Sequence, residues 1–204
     1  MVRESEKPRA FTLIELLIAI AIIGILAALL LPGLSRARIA AKAAKAKVEL
    51  RQVGIAVQLY RNDHDSFPLA RTYCAANKIN DYYELPPELE EHRYLSSHLV
   101  DVFNPPRTYK YVKAGIGYVN DAPSRISLWV PAAWPSDDGT DTCYKNEGDS
   151  PVKWAVWSVG PGGARSVWDA QADHVPVPPR LWYPTDPDGV IVRLYTGKDW
   201  MSSP

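Results

Sequence analysis

The residues best suited to chemistry stand near the start of the chain, where a short leader with three basic residues ends at Ala10 and Phe11, and a lone acidic residue, Glu15, follows. From residue 16 to residue 34 no side chain carries a charge and nearly all are apolar. At about 1.5 Å per helical residue, this run spans most of the ~30 Å hydrocarbon core of a bilayer. An unpaired carboxylate in such a helix costs at least about 2.5 kcal/mol, so Glu15 is expected to have a functional partner.

This segment, Arg9-Ala10-Phe11-Thr12-Leu13-Ile14-Glu15, resembles the processing signal of type IV pilins and of the pseudopilins of type II secretion systems. In that family a basic leader is cut just before a Phe, the new amine is N-methylated, and a Glu stands four places after the Phe. The resemblance implies cleavage between Ala10 and Phe11 by a prepilin peptidase/methyltransferase, N-methylation of Phe11, and an assembly role for Glu15. In the assembled fibre, Glu15 would pair with the amine of a neighbouring subunit. The family usually has Gly before the cut. The Ala at position 10 departs from this pattern and is expected to affect how efficiently the leader is cleaved.

The alternative for this segment is an ordinary secretory signal peptide or a plain signal anchor. A signal peptide has an apolar core of about 7–15 residues without an acidic residue. The run here is longer and begins directly after Glu15.

Charge is unevenly distributed along the chain, although the net charge is zero. Residues 35–61 hold seven Lys/Arg against one Glu, and residues 62–204 hold 13 Lys/Arg against 19 Asp/Glu. The acidic C-terminal part argues against nucleic acid as a partner, since phosphate binding needs a basic face. The basic stem is expected to meet lipid headgroups or acidic surfaces of neighbouring subunits.

The orientation in the membrane is predicted differently by two criteria. Three Lys/Arg precede the apolar run and five follow it by residue 47, which by count alone would place the stem in the cytoplasm. The resemblance implies the opposite: a single-pass inner-membrane protein with a cytoplasmic leader and an exported, periplasmic or surface-exposed head. We adopt the second prediction because the peptidase acts on the cytoplasmic side. Further implied partners are identical and related pilin-like subunits and an inner-membrane assembly platform.

The elements that position these residues form a pilin-like α+β fold, in which a long N-terminal helix packs on a small antiparallel β-sheet head. We predict a leader (1–10), a transmembrane and assembly helix (11–34), an amphipathic stem helix (35–61) and a globular head (62–204). Pro32 lacks a backbone donor and predicts a helix kink, with a helix end as the alternative. The stem carries an apolar stripe at helical spacing: Ile39, Ala43, Ala46, Leu50, Val53, Val57 and Tyr60.

The head is predicted to contain a short helix within residues 86–95 and strands at 108–119, 125–131, 152–159 and 190–196. Residues 60–68 and 154–163 are similar to the join after the stem and to a strand of major pseudopilins. Gly162 stands where that strand usually has an Asp. The tryptophans, all in the C-terminal part, are predicted to lie mainly in the core or on sheet faces.

Other residues with chemical potential lie in the head. Cys74 and Cys143 could form a disulfide in an oxidising compartment, remain unpaired, or contact other chains. Major pseudopilins often bind calcium, and carboxylates are present in two acidic loops, at 137–141 and at Asp186 and Asp188, but either loop alone has too few ligands and turn formation explains both. No cofactor is expected, with calcium as a weak candidate. His64 lies between two aspartates and is expected to be a solvated residue at the helix end rather than a metal ligand or base.

We therefore predict a structural subunit of a pseudopilus or type IV pilus-like fibre that serves type II protein secretion. No metalloprotease, nucleophile-elbow or phosphate-loop motif is present in the sequence, so an enzyme is not expected. The alternative is a membrane-anchored module that binds a glycan or protein ligand and carries the same processing signal.

Overall fold

The computed structural model describes residues 12–73, 82–136, 140–163 and 179–204. It contains one long helix, α1 (Leu13–His64), one short helix, α2 (Glu88–Glu91), and a 3-10 turn (Pro179–Leu181). Ten strands follow α1 along the chain: β1 (Ala70–Tyr73), β2 (Tyr82–Glu84), β3 (Lys110–Val112), β4 (Gly115–Val119), β5 (Ala122–Ile126), β6 (Leu128–Pro131), β7 (Asp141–Tyr144), β8 (Trp154–Ser158), β9 (Ile191–Tyr195) and β10 (Trp200–Ser202). The predicted pilin-like α+β architecture is confirmed.

The chain divides into two compact units, Met1–Ala41 and Lys42–Pro204. The described part of the first unit is the N-terminal part of α1, whose side chains are exposed throughout. The second unit contains the rest of α1 and the head. Helix α1 ends at His64, and Asp65 adopts a positive φ of 53°, a conformation that Asp tolerates and that stops a helix.

Within the second unit, α1 buries the small and apolar face that the stripe predicted. The buried residues are Ala43, Ala46, Leu50, Val53, Gly54, Ala56 and Val57. Of the predicted stripe, Ile39 lies exposed in the first unit and Tyr60 is half-buried. The helical spacing therefore located the contact face of the stem, which in the structure begins at Ala43.

The head consists of two four-stranded sheets and a two-stranded ribbon. The first sheet has the order β2-β1-β4-β5 and is mixed, because β1 and β4 run parallel. The second sheet has the order β10-β9-β8-β3 and is antiparallel throughout, and β6 and β7 form the ribbon. Strand β8 is buried at every residue, which is why its sequence reads as a continuous apolar run rather than an alternating one.

Two of the predicted strands are each divided between sheets. The segment 108–119 forms β3 in the second sheet and β4 in the first, and the chain turns at Gly115, whose φ of 113° favours glycine. The segment 125–131 likewise passes from β5 to β6. The strands predicted at 152–159 and 190–196 are confirmed as β8 and β9. The strands β1, β2, β7 and β10 were not predicted, since each has only three or four residues.

A buried polar contact joins the stem to the head. The hydroxyl of Tyr109, which is fully buried, donates to the Glu49 carboxylate of α1 at 2.5 Å. Burial and the neighbouring Glu49 raise the pKa of Tyr109. Glu49 is also paired with Lys45 at 3.7 Å, and its side chain is only 16% exposed. A charged hydrogen bond shielded in this way fixes where the helix lies on the head.

We expect Tyr109→Phe to lower the free energy of unfolding by about 1.5–3 kcal/mol, because it leaves a shielded carboxylate without its donor. Urea denaturation of the full chain in detergent, followed by tryptophan fluorescence, measures this loss. Tyr144→Phe is the matched control, since the Tyr144 hydroxyl has no hydrogen-bond partner among the described residues. Equal losses in the two variants would contradict a specific role for the Tyr109–Glu49 contact.

Candidate processing and assembly site

The N-terminal end of α1 is built around Thr12 and Glu15. Glu15 Oε2 accepts hydrogen bonds from the Thr12 backbone N–H at 2.9 Å and from the Thr12 hydroxyl at 2.8 Å. In return, the Glu15 backbone N–H donates to the Thr12 hydroxyl oxygen at 3.3 Å. This reciprocal arrangement is a capping box, which satisfies donors that a helix otherwise leaves free in its first turn.

The capping role of Thr12 was missed by sequence reasoning, although the Thr-x-x-Glu spacing before an apolar run is its signature. The same contact places the Glu15 carboxylate at the positive end of the helix dipole, where a negative charge is stabilised. Ala10 and Phe11 lie outside the described residues, so the cleavage and methylation positions stay predictions.

Beyond Glu15, the helix presents apolar side chains on all sides. Fourteen large hydrophobic residues are exposed between Leu13 and Leu34, with relative accessibilities from 50% to 81%. By length and composition, α1 is the one helix among the described residues that could cross a membrane. Helical structure continues through Pro32 and ends at His64, so the alternative of a helix end at Pro32 is wrong. The predicted kink at Pro32 stays a prediction.

The predicted disulfide cannot be placed. Cys143 is half-buried on β7, and in the register of the ribbon it lies opposite Trp129 of β6. Cys74 lies outside the described residues. The pairing of these two cysteines therefore stays a prediction.

Of the carboxylates considered for calcium, Asp186 and Asp188 lie in one turn. Asp186 Oδ1 accepts from the backbone N–H of Asp188 at 3.0 Å, and the backbone N–H of Gly189 donates to the Asp186 carbonyl at 2.9 Å, so this segment is a tight turn. A Cβ on Gly162 would lie 2.5 Å from the Asp188 carbonyl oxygen. The turn thus occupies the space that an Asp at 162 would need.

Among the described residues, no group of three or more His, Cys, Asp or Glu is arranged to hold a metal. Asp137 and Asp138 fall outside those residues. Calcium binding stays untested, and the geometry around Gly162 gives it no support.

His64 lies exposed at the end of α1, as predicted, and its ring belongs to an aromatic cluster. Its ring stacks on Tyr60 with centroids 4.2 Å apart, and the ring of His92 lies 5.4 Å away. Tyr94 completes the cluster and donates to Asp63 at 2.6 Å, which raises the pKa of Tyr94 to about 12. The cluster joins the end of α1 to the segment after α2, which is a structural role.

The described tryptophans divide between core and surface. Trp154, Trp157 and Trp182 are buried, Trp129 and Trp134 are half-buried, and Trp200 is 39% exposed. The exposed ring of Trp200 is stacked by the Arg193 guanidinium, whose Cζ lies 4.2 Å from its centroid. The alternative function, a glycan- or protein-binding module, stays a prediction. The positions of the described tryptophans do not favour it over the fibre subunit.

Asp101 is a second residue whose structural role the sequence did not reveal. Its fully buried carboxylate accepts from Ser158 Oγ at 2.6 Å, from Val159 N at 3.0 Å and from Phe103 N at 3.0 Å. Burial raises the pKa of the Asp101 carboxyl, although these hydrogen bonds act in the opposite direction. The contacts attach the segment before β3 to the end of β8.

Residues 7–31 match the family described as the prokaryotic N-terminal methylation motif. The match includes Ala10, Phe11, the capping box and most of the apolar run. Neither the comparison with curated proteins nor that with solved structures gives a match for the chain. The motif supports a prepilin-type processing signal, and it stands at the start of a helix that is long and apolar enough to cross a membrane.

We expect Asp101→Asn to destabilise the fold, because the amide group places a donor against one of the three donors that the carboxylate accepts; the loss should be about 1–3 kcal/mol. The folded-state pKa of Asp101 is raised, so its stabilising contribution is complete below the unfolded pKa of about 3.9 and is lost as the pH rises through the folded value. The advantage of wild type over Asp101→Asn should therefore shrink across that window.

Urea denaturation at a series of pH values measures this difference, with Asp199→Asn, which changes an exposed carboxylate, as the control. An advantage that grows with rising pH would show that hydrogen bonding, rather than burial, dominates the ionisation of Asp101.

Proposed function

We propose that this chain is a structural subunit of a pseudopilus or type IV pilus-like fibre, processed by a prepilin peptidase and serving type II protein secretion. The observation that carries the proposal is the match of residues 7–31 to the methylation motif, at the head of a helix whose stem buries its face in an α+β head. Secretion as the particular process rests on the resemblance of residues 60–68 and 154–163 to major pseudopilins.

In this proposal the chain is the substrate of the peptidase/methyltransferase and does not itself catalyse a reaction. The peptidase hydrolyses the bond between Ala10 and Phe11, and the new amine of Phe11 is then methylated. The chain itself has no enzymatic role, and partner proteins supply the energy for fibre growth. The head remains on the exported side.

Glu15 can serve both its own helix and a neighbouring subunit. Both hydrogen bonds from Thr12 reach Oε2, and no hydrogen bond from the described residues reaches Oε1, which can take a second partner. A carboxylate can accept up to about four hydrogen bonds, and a charge-assisted bond is about twice as strong as a neutral one. The N-terminal amine of the preceding subunit fits this position, and the pairing would neutralise both charges in an apolar surrounding.

The exposed apolar surface of α1 explains why extraction from the membrane and assembly must be coupled. Inside a bilayer, the side chains between Leu13 and Leu34 are solvated by lipid, and helices there associate through packing and polar contacts. Outside the bilayer, each large side chain left in water would cost about 1.5–3 kcal/mol. A subunit leaving the membrane therefore needs neighbouring helices to cover this surface.

Processing is tested by the N-terminal mass of the native protein, extracted from membranes of a host with a prepilin peptidase. We expect the first residue to be N-methyl-Phe11, whereas Ala10→Leu should leave the leader attached because a bulky residue precedes the cut. Ala10→Gly, which restores the family residue, is the control and should be processed as completely as wild type. An intact Met1 in wild type, or a cut after Pro32, would sink the proposal.

Assembly is tested separately with Glu15→Gln, which keeps the side-chain shape and removes the charge. We expect normal removal of the leader but a loss of fibre yield of about tenfold or more, because the charge-assisted pair with the amine is gone. Sheared fibres quantified against total protein give this ratio. Glu91→Gln, on an exposed position of α2, should assemble as wild type does. Full assembly of Glu15→Gln would contradict the proposed pairing of Glu15 with the amine of a neighbouring subunit.

A further inference from the structure

A cavity lies between the stem part of α1 and the edge of the second sheet. Its volume is about 240 Å³. That is smaller than the about 300–1,000 Å³ of pockets that hold drug-sized ligands, so its occupant would be a small group. The cavity is lined by α1 on one side and by β9 and β10 on the other, through Lys47, Leu50, Arg51, Val192, Arg193 and Ser203 among others.

Three of the residues around this cavity are cations. Lys47 and Arg51 come from α1, and Arg193 comes from β9. None of the three is within ion-pair distance of a carboxylate side chain in the part of the chain that the structure describes. Lys47 Nζ donates to the main-chain oxygen of Pro204, and neither guanidinium group pairs with a carboxylate side chain of the described residues.

Arg193 is held in place by packing, although no carboxylate side chain of the described residues pairs with it. Its guanidinium lies over the Trp200 ring, and a Cβ at position 54 would come within 2.8 Å of its Nε, so Gly54 is what lets this side chain pack against α1. The Nε atom is buried and has no hydrogen-bond partner in the described residues. Burial first, and the charge of Arg51 second, lower the pKa of the Arg193 guanidinium.

An arrangement of this kind is unfavourable when it is empty. Arg51 and Arg193 both line this cavity, and a buried charged donor without a partner costs more than a neutral one. The hydroxyl of Ser203, also on this cavity, accepts from the Val192 N–H at 2.9 Å and keeps its own proton for a further acceptor. The two guanidinium groups and the Ser203 hydroxyl are therefore all donors that a negatively charged acceptor would satisfy.

We propose that this pocket binds an oxyanion, a carboxylate or phosphate group, between the guanidinium groups of Arg51 and Arg193. Arginine donors in a planar fork match the geometry of both groups. The ring of Trp200 and Gly54 hold Arg193 in place, and Ser203 supplies a neutral donor. The stem residue Arg51 closes the site from the helix.

The oxyanion can come from two sources with the same chemistry. It is either a small anion free in solution or the carboxylate of an acidic side chain on a second copy of this chain. The second source rests on the proposed fibre function, and it agrees with the charge distribution, because residues 62–204 carry six more acidic than basic side chains.

The first experiment uses the full-length chain in detergent, where it can be studied without assembly. Inorganic phosphate is titrated against sodium chloride at matched ionic strength, and the NMR signals of the Trp200 indole N–H and the Arg193 Nε–H are followed. We expect a saturable shift with phosphate alone, weakened about tenfold or more in Arg51→Gln. Lys45→Gln, which removes one charge from an exposed position on the same helix outside the cavity, should bind as wild type does.

Arg51 is exposed, so Arg51→Gln is expected to fold, and an unchanged tryptophan spectrum verifies it. Arg193→Lys provides a second variant, which keeps the charge but loses the planar fork, and it should also weaken the phosphate shift. The proposal is overturned if phosphate shifts these signals no more than chloride does. It is overturned equally if Arg51→Gln and Lys45→Gln reduce binding to the same extent, since that result would indicate only general charge attraction.

A second experiment identifies the source once phosphate binding is established. If a second copy supplies the carboxylate, Arg51→Gln lowers fibre yield and saturating phosphate inhibits the assembly of wild type. If the ligand is a free anion, both leave assembly unchanged. Failure of wild type to form fibres under any condition would count against the proposed function and leave the phosphate result standing.

Discussion

The head of this protein depends on the burial of one face of the stem in α1 against the second sheet. The residues on that face are small at the start, Ala43 and Ala46, and larger further along, Leu50 and Val53, and all are almost completely shielded from solvent. Small residues allow a close approach of the helix, and the larger ones fill the space over the sheet. Without this contact, the apolar faces of β8 and β9 would be open to water.

Apolar packing alone does not fix how a helix lies on a sheet, because many sliding positions bury similar area. The polar contacts of this head remove that freedom. Glu49 reaches the buried Tyr109 hydroxyl in one position of the helix only, and Asp101 can accept its three hydrogen bonds only when the segment before β3 meets the end of β8. Shielded polar groups that must be paired thus select a single arrangement.

The sequence was informative where the physical signal was strong and local. A long uncharged run, a lone Glu15 and a stripe at helical spacing predicted α1 and its contact face. The apolar runs of β8 and β9 likewise predicted two strands. The capping box of Thr12 with Glu15 was present in the sequence too, but the carboxylate had been assigned only an intermolecular role.

What the sequence could not give was decided by contacts between distant residues. The division of the segment 108–119 between two sheets depends on a turn at Gly115, and short strands such as β1 and β10 have too few residues for periodicity to show. The cavity near Arg51 and Arg193 joins residues more than a hundred positions apart. No local pattern marks either of those arginines as different from other basic residues.

The loop before β8 shows how this head can satisfy exposed carbonyls without an ion. Lys153 Nζ donates to the carbonyls of Glu147, Gly148 and Ser150 at 2.9, 3.2 and 2.9 Å. A cluster of backbone carbonyls is also what a calcium ion would use, but here a covalently attached ammonium holds it and three donors match three acceptors. The opposite case is found at Arg51 and Arg193, where donors converge without an acceptor from the described chain. The donors of the Lys153 ammonium are thus satisfied within the chain, and the guanidinium donors of Arg51 and Arg193 are left for a ligand.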